Sequence, residues 1–239
     1  EDVSLVAYSS THGLASSALS FSTHVSLAEH SFSVNDGAND DTGLTGHYSA
    51  PTHPQSIGQQ DIIDIKADIG GDILTLTFTM RELTNQWIPA NGFDNVALSV
   101  FFDVADKQGE TFLPMINGQM PKGWNWDLAH IVYGWGNTTY STESATQQHQ
   151  GKKYGVAPQV EVNQKAKTIT LTYNANDFDI SHWLNTKIYA TTWDITGEGA
   201  YREVEPSASL WAFGGGHKAA PKILDDVKIQ LSKPIVKGE

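Results

Sequence analysis

The clearest regularity along the chain is a period of two. From Ile73 to Met80 the run ILTLTFTM sets Leu74, Leu76, Phe78 and Met80 on one side and Ile73, Thr75, Thr77 and Thr79 on the other, the pattern of a strand with one buried face. Thr168 to Tyr173 repeats it, with Ile169, Leu171 and Tyr173 set against three threonines. Val160 and Val162 precede that run across Asn163, Gln164, Lys165 and Ala166, so a hairpin is the natural connection. Val96 to Val104, VALSVFFDV, is apolar on both sides, as a central strand covered above and below would be. Lys187 to Asp194 is a weaker version, and Asp225 to Leu231 alternates Val227, Ile229 and Leu231 with polar neighbours. Helical periodicity is nowhere sustained for three turns.

These short runs, with 21 Gly and 9 Pro spread between them, predict an all-β fold, an antiparallel β-sandwich of jelly-roll or immunoglobulin-like type. Residues 1–30, rich in Ser and Ala, read as a lead-in segment with one or two edge strands, and 31–239 as the sandwich domain. Long polar segments at 35–60, 84–95, 109–127 and 137–155 separate the strands. Loops beyond about 12 residues are uncommon in compact domains unless they carry a function, and in a sandwich they gather where a binding site can be built.

Composition narrows the chemistry. A chain of 239 residues, 39% hydrophobic and 10% aromatic, can fill the core of one domain. The absence of cysteine removes disulfides, thiolate zinc sites and a cysteine nucleophile. With 15 Lys and Arg against 27 Asp and Glu the net charge is −12, which argues against nucleic acid and anionic lipid as partners and favours a neutral or cationic ligand. No run approaches the roughly 18 apolar residues of a membrane span, and the N-terminus lacks the pattern of a signal peptide. The chain therefore reads as a mature or excised segment of a secreted, periplasmic or cell-surface protein.

Four of the seven tryptophans lie in Gly-, Pro- and Asn-rich sequence: Trp87 in NQWIP, Trp124 and Trp126 in GWNWD, and Trp135 in YGWGN. An indole face stacks on the C–H face of a pyranose, while amides and carboxylates nearby, here Asn91 and Asp127, hydrogen-bond its hydroxyls. The four rings with Asn91 and Asp127 are the candidate carbohydrate-binding residues; the competing reading is that they anchor long loops. Trp183, Trp193 and Trp211 lie in or beside apolar sequence and are expected in the core. Asp36, Asp40 and Asp41, with Asp61 beyond the loop, form an acidic group that suits a structural calcium ion, which takes six to eight oxygen ligands; a solvated turn is the alternative. Metalloprotease, α/β-hydrolase, Walker and dinucleotide motifs are absent. Gly214-Gly215-Gly216 precedes no helix and is expected to form a tight bend.

In the C-terminal third the sequence becomes recognisable. Trp193-Asp194, Gly199-Ala200-Tyr201-Arg202, Pro206-Ser207, Trp211-Ala212-Phe213-Gly214-Gly215-Gly216 and Pro221-Lys222-Ile223-Leu224-Asp225 together resemble the C-terminal module of bacterial glucodextranases and some amylopullulanases. Earlier stretches fit in order: Asn35-Asp36 through Asp40-Asp41-Thr42-Gly43 to Tyr48, and Asn85 through Trp87 and Pro89 to Asn91-Gly92-Phe93. The resemblance covers about residues 30–232. It implies a sandwich related to family 9 carbohydrate-binding modules and DOMON-like domains. It further implies a module beside the catalytic domain of a parent secreted glycoside hydrolase acting on α-glucans, with sugar binding or cell-surface attachment as its role. Taken with the loop tryptophans, the leading reading is a non-catalytic module for neutral glycans, α-glucans among them, with a polysaccharide or oligosaccharide as ligand. Two alternatives remain open: a glycosidase or lyase using an acid pair, and a haem b-binding sandwich with Met80, Met115 or Met120 and a His or Lys as axial ligands.

Overall fold

The computed structural model describes residues 28–232 together with two short strands near the N-terminus. In chain order the strands are β1 Asp2–Leu5, β2 Leu19–Ser22, β3 His30–Asn35, β4 Ile62–Gly70, β5 Ile73–Met80, β6 Ala97–Asp103, β7 Phe112–Leu113, β8 Gly118–Gln119, β9 Leu128–Tyr133, β10 Gly136–Ser141, β11 Lys152–Lys153, β12 Gln159–Asn163, β13 Thr168–Asn174, β14 Lys187–Trp193 and β15 Asp225–Gln230. Two antiparallel sheets face each other, one of six strands in the order β11-β10-β9-β6-β14-β15 and one of five in the order β12-β13-β5-β4-β3. The fold is an all-β sandwich. Among the described residues helix is confined to two short 3-10 turns, and no helix is long and apolar enough to cross a membrane. The lead-in expected over 1–30 lies largely outside the described residues; β1 and β2 pair with each other.

The period of two places the core. Leu74, Leu76, Phe78 and Met80 of β5 and Ile169, Leu171 and Tyr173 of β13 point inward and are buried, while the intervening threonines of the two strands pair across the outer surface, Thr77 opposite Thr170. Opposite them, the six-stranded sheet contributes Leu98, Val100, Phe102, Leu128, Val132, Ile188, Ala190, Val227 and Ile229. Trp183 closes this core, its Nε1–H donating to the Asp72 carbonyl at 2.8 Å.

His130 also points into the core and is fully buried. Its Nε2 meets Asn137 Oδ1 at 2.7 Å and its Nδ1 meets Tyr173 Oη at 2.8 Å. Asn137 Nδ2 donates to the Pro158 carbonyl, so its oxygen faces the ring; the neutral imidazole donates there and accepts from Tyr173. Burial holds the His130 pKa down to about 4.

The six-stranded sheet is covered on its other side as well, which is why β6 carries apolar residues on both faces. Phe101, Ala129 and Tyr189 pack there beneath Leu113 of β7 and Ile116, Met120, Trp126 and Ile223 from the loops. Trp193, Val204, Phe213, Ala220 and Leu224 make an adjoining cluster, with Trp193 and Phe213 stacked at 4.0 Å. The segment 137–155, polar in sequence, begins with β10, an ordinary strand paired along its length with β9. Gly214-Gly215-Gly216 is less a bend than a seam where two loops run backbone to backbone. A Cβ on Gly215, at φ +84°, would fall 1.9 Å from the His47 carbonyl oxygen, and one on Gly214 2.2 Å from Ala208 N.

Candidate functional site

Beyond the end of β14 the loops enclose a cleft of about 280 Å³ whose walls include Trp87, Trp135 and Trp211, with Asn95, Asp194, Glu198 and Arg202 among the polar residues. The three rings are 52%, 43% and 36% exposed, and gathered in one concavity they make the kind of apolar patch that marks an interaction site.

Each ring is held by its own local chemistry. The loop bearing Trp87 folds around Asp94, which accepts the Trp87 N–H at 2.9 Å and the hydroxyl of Thr84. Next to it Ile88 sits at φ 51° and is 82% exposed, a left-handed conformation that β-branched residues rarely adopt. Trp135 stands at the tip of the β9–β10 hairpin. Asn91 ties that tip to the Trp87 loop: its Nδ2 donates to the Tyr133 carbonyl at 2.7 Å and the Gly136 carbonyl at 3.0 Å, and its N–H donates to Gly134. Trp211 carries His53 against its ring at 4.4 Å and the Arg202 guanidinium at 4.9 Å.

Arg202 in turn donates through Nε to Asp194 Oδ2 at 2.8 Å. Burial raises the Asp194 pKa, opposed by that arginine. The cleft thus holds one internally neutralised ion pair, while Glu198 makes no ion pair among the described residues.

The sequence-predicted residues divide. Trp87 and Trp135 line the cleft, and Asn91 holds two of its walls together without lining it. Trp126 is fully buried and donates from Nε1 to the Phe112 carbonyl at 2.7 Å; a ring with no exposed face offers no platform to a sugar, so this assignment is corrected. Trp124 is half-buried against the same outer cluster, with Lys187 Nζ 5.6 Å from its ring. Asp127 is buried and accepts the Val104 N–H at 2.9 Å, its pKa raised by burial. These three lie outside the cleft lining. Trp211, expected in the core, lines the cleft; Trp183 and Trp193 are buried as expected. Nothing local distinguishes Trp211, because its exposure depends on where the 202–216 loop docks.

The acidic group is assembled across the molecule. Carboxylate oxygens of Asp40, Asp61 and Asp225 lie within 4.8 Å of one another. Asp225, from the last strand, was not among the residues picked out by sequence. Asp61 is fully buried: its Oδ2 accepts from Asn39 N–H at 2.7 Å and from Arg81 Nη1 at 3.1 Å, and its Oδ1 is buried without a hydrogen-bond partner among the described residues, as is Asp36 Oδ2. Asp225 Oδ2 accepts the Ile62 N–H at 2.7 Å. Burial, then neighbouring carboxylates, pushes Asp36 and Asp41 up to about 6, and burial pushes Asp225 up to about 8. An oxygen-only set, buried at Asp61 and Asp225 and open to solvent at Asp40, fits a hard divalent cation and not a thiophilic metal.

The methionines of the haem alternative are dispersed. Met80 and Met120 are buried in separate apolar clusters, and Met115 lines another cleft that contains no histidine.

No curated protein matches the chain. A family model, described as the C-terminal binding-module, SLH-like, of glucodextranase, matches residues 32–232, a span that takes in both sheets, the three tryptophans and all five aspartates of the acidic group. The chain belongs to this family of glucodextranase C-terminal binding modules.

Proposed function

We propose that the module binds a neutral glycan, an α-glucan, in the tryptophan cleft, as the non-catalytic partner of a glycoside hydrolase acting outside the cell. The observation that carries this reading is the convergence of Trp87, Trp135 and Trp211, from three separate loops, on one concavity. Aromatic platforms with amide and hydroxyl neighbours suit a pyranose, whose faces are apolar and whose edges are polar. The electrostatics agree: Arg202 is neutralised by Asp194, and the remaining carboxylate, Glu198, would repel an anionic polymer. Two free carboxylates are what a glycosidase needs, and here one of the pair is bound to an arginine.

Affinity electrophoresis through glycogen, starch and dextran gels, run beside a reducing-sugar assay, tests the proposal. The protein should be retarded by one of the polymers and release no sugar. Trp87→Ala and Trp135→Ala should each weaken binding by roughly 30-fold, about 2 kcal/mol for a buried aromatic anchor. Unretarded migration in all three gels, or turnover abolished by Glu198→Gln, would overturn it.

We further propose that Asp40, Asp61 and Asp225, flanked by Asp36 and Asp41, hold a structural calcium ion. Support comes from the unpartnered buried oxygens of Asp61 and Asp36. A divalent cation would turn the mutual repulsion of these carboxylates into attraction and so brace the 36–48 loop against β15.

A further inference from the structure

We propose that the bound glycan continues from the tryptophan cleft into a second, tyrosine-lined cleft beside it, so that the module recognises a stretch of chain and not a single sugar. This inference rests on the glycan-binding reading and deepens it. The second cleft, of about 250 Å³, is lined by Tyr133, Tyr140 and Tyr201 together with Thr138, Gln150 and Lys153.

Two structural elements are common to both clefts. The β9–β10 hairpin sends Trp135 into the first and Tyr133 into the second, and Ile195 borders both. The turn 195–201, closed by pairing of Ile195 with Tyr201 and by the Thr196 N–H donating to the Ala200 carbonyl at 2.8 Å, stands between them. On this turn Glu198 lines the first cleft, while Gly197, Gly199 and Ala200 around it carry little or no side chain. Gly199 is at φ +87°, and a Cβ there would lie 3.2 Å from the Tyr133 hydroxyl, so a larger residue would be both strained and pressed against the tyrosine. The ridge is therefore one that an extended chain can cross.

The lining has the chemistry of the first cleft in a milder form. Phenol rings present apolar faces with hydroxyls at their edges, and Thr138 adds another hydroxyl. Gln150 Nε2 donates to Tyr201 Oη at 2.8 Å, while its Oε1 is buried with no hydrogen-bond partner among the described residues. The side chain that borders the cleft thus carries an acceptor left unused within the protein, which a turn of the Gln150 amide would bring to a sugar hydroxyl.

Calorimetric titration with maltose and with maltohexaose, and with isomaltose and isomaltohexaose for α-1,6 chains, tests the proposal. In the series that binds, the hexasaccharide should bind at least about tenfold more tightly than the disaccharide, the gain expected of one additional well-packed aromatic contact. Thr138→Tyr, which fills the second cleft, should bring the hexasaccharide down to the disaccharide value while disaccharide binding stays as in the parent protein. Gln150→Ala, a smaller change, should remove part of the same gain. Equal affinity for both lengths overturns the extension alone, as does parental hexasaccharide affinity in both variants. If neither length binds in either series, the extension falls together with the glycan reading beneath it.

Discussion

His130 has both ring nitrogens committed, one to Asn137 and one to Tyr173, in a core with no room for hydration of a cation. Its pKa of about 4, against an ordinary value near 6.5, means that the unfolded chain takes up a proton there more readily than the folded one. The stability this histidine permits is complete above pH 6.5 and lost as the pH falls towards 4, by on the order of 3 kcal/mol. Chemical denaturation of the parent and of His130→Gln across that window should show the parent losing stability relative to the variant by about this amount; parallel profiles would refute the assignment. Comparing the two proteins cancels the titration of the acidic group, which runs in the opposite direction. The tryptophans show the limit of residue-level reading. Trp126 and Trp135 share the same kind of Gly- and Asn-rich surroundings, yet one is sealed beneath the outer cluster and the other stands 43% exposed. Neighbours in sequence decide whether a ring sits in a loop; only the docking of that loop decides which way it faces.

Among elements, legibility followed how one-sided the environment was. β5 and β13 show a clean alternation because one face meets the core and the other meets water, and the threonines of the outer face pair as the register requires. In β4 a shift of register between Ile62 and Asp64 interrupts the alternation near its start. β10 reads as loop because, of its six residues, just Thr139 is buried. The site depends on how such elements are joined: the Asn91 side chain fastens the Trp87 loop to the hairpin tip that carries Trp135. Asn91→Ala should leave the β-type circular dichroism spectrum intact and weaken glycan binding by several-fold, since both rings would have to be ordered by the ligand itself. Unchanged affinity in a folded variant would show that the rings are positioned without it.

For the whole molecule the proposed calcium ion would be a second lever on stability, beside His130. An ion that binds the folded state alone adds about 2.7 kcal/mol at a hundredfold excess over its Kd, which for a domain of this size raises the melting temperature by several degrees. Protein stripped of metal should therefore melt earlier in EDTA than in millimolar calcium. Asp225→Asn, which keeps an oxygen for the Ile62 N–H but removes a charge, should melt later than the parent in EDTA and gain less from calcium. Equal melting temperatures of the parent under both conditions would leave the cluster as a group of acids without an ion.

The placement of Asp225 has a consequence for the order in which the chain can fold. Its hydrogen bond with Ile62 joins residues 163 apart in sequence, and β15, which carries it, adds to the sheet edge beside β14. Contacts so distant in the chain close late, after the loops between them have lost their freedom. Until β15 docks, Asp40 and Asp61 lack their third carboxylate, so with the proposed ion bound the cluster would act as a latch that can engage only once the last strand of the sandwich has been delivered. A chain cut short before residue 225 could form hairpins on both sheets and still leave that latch open.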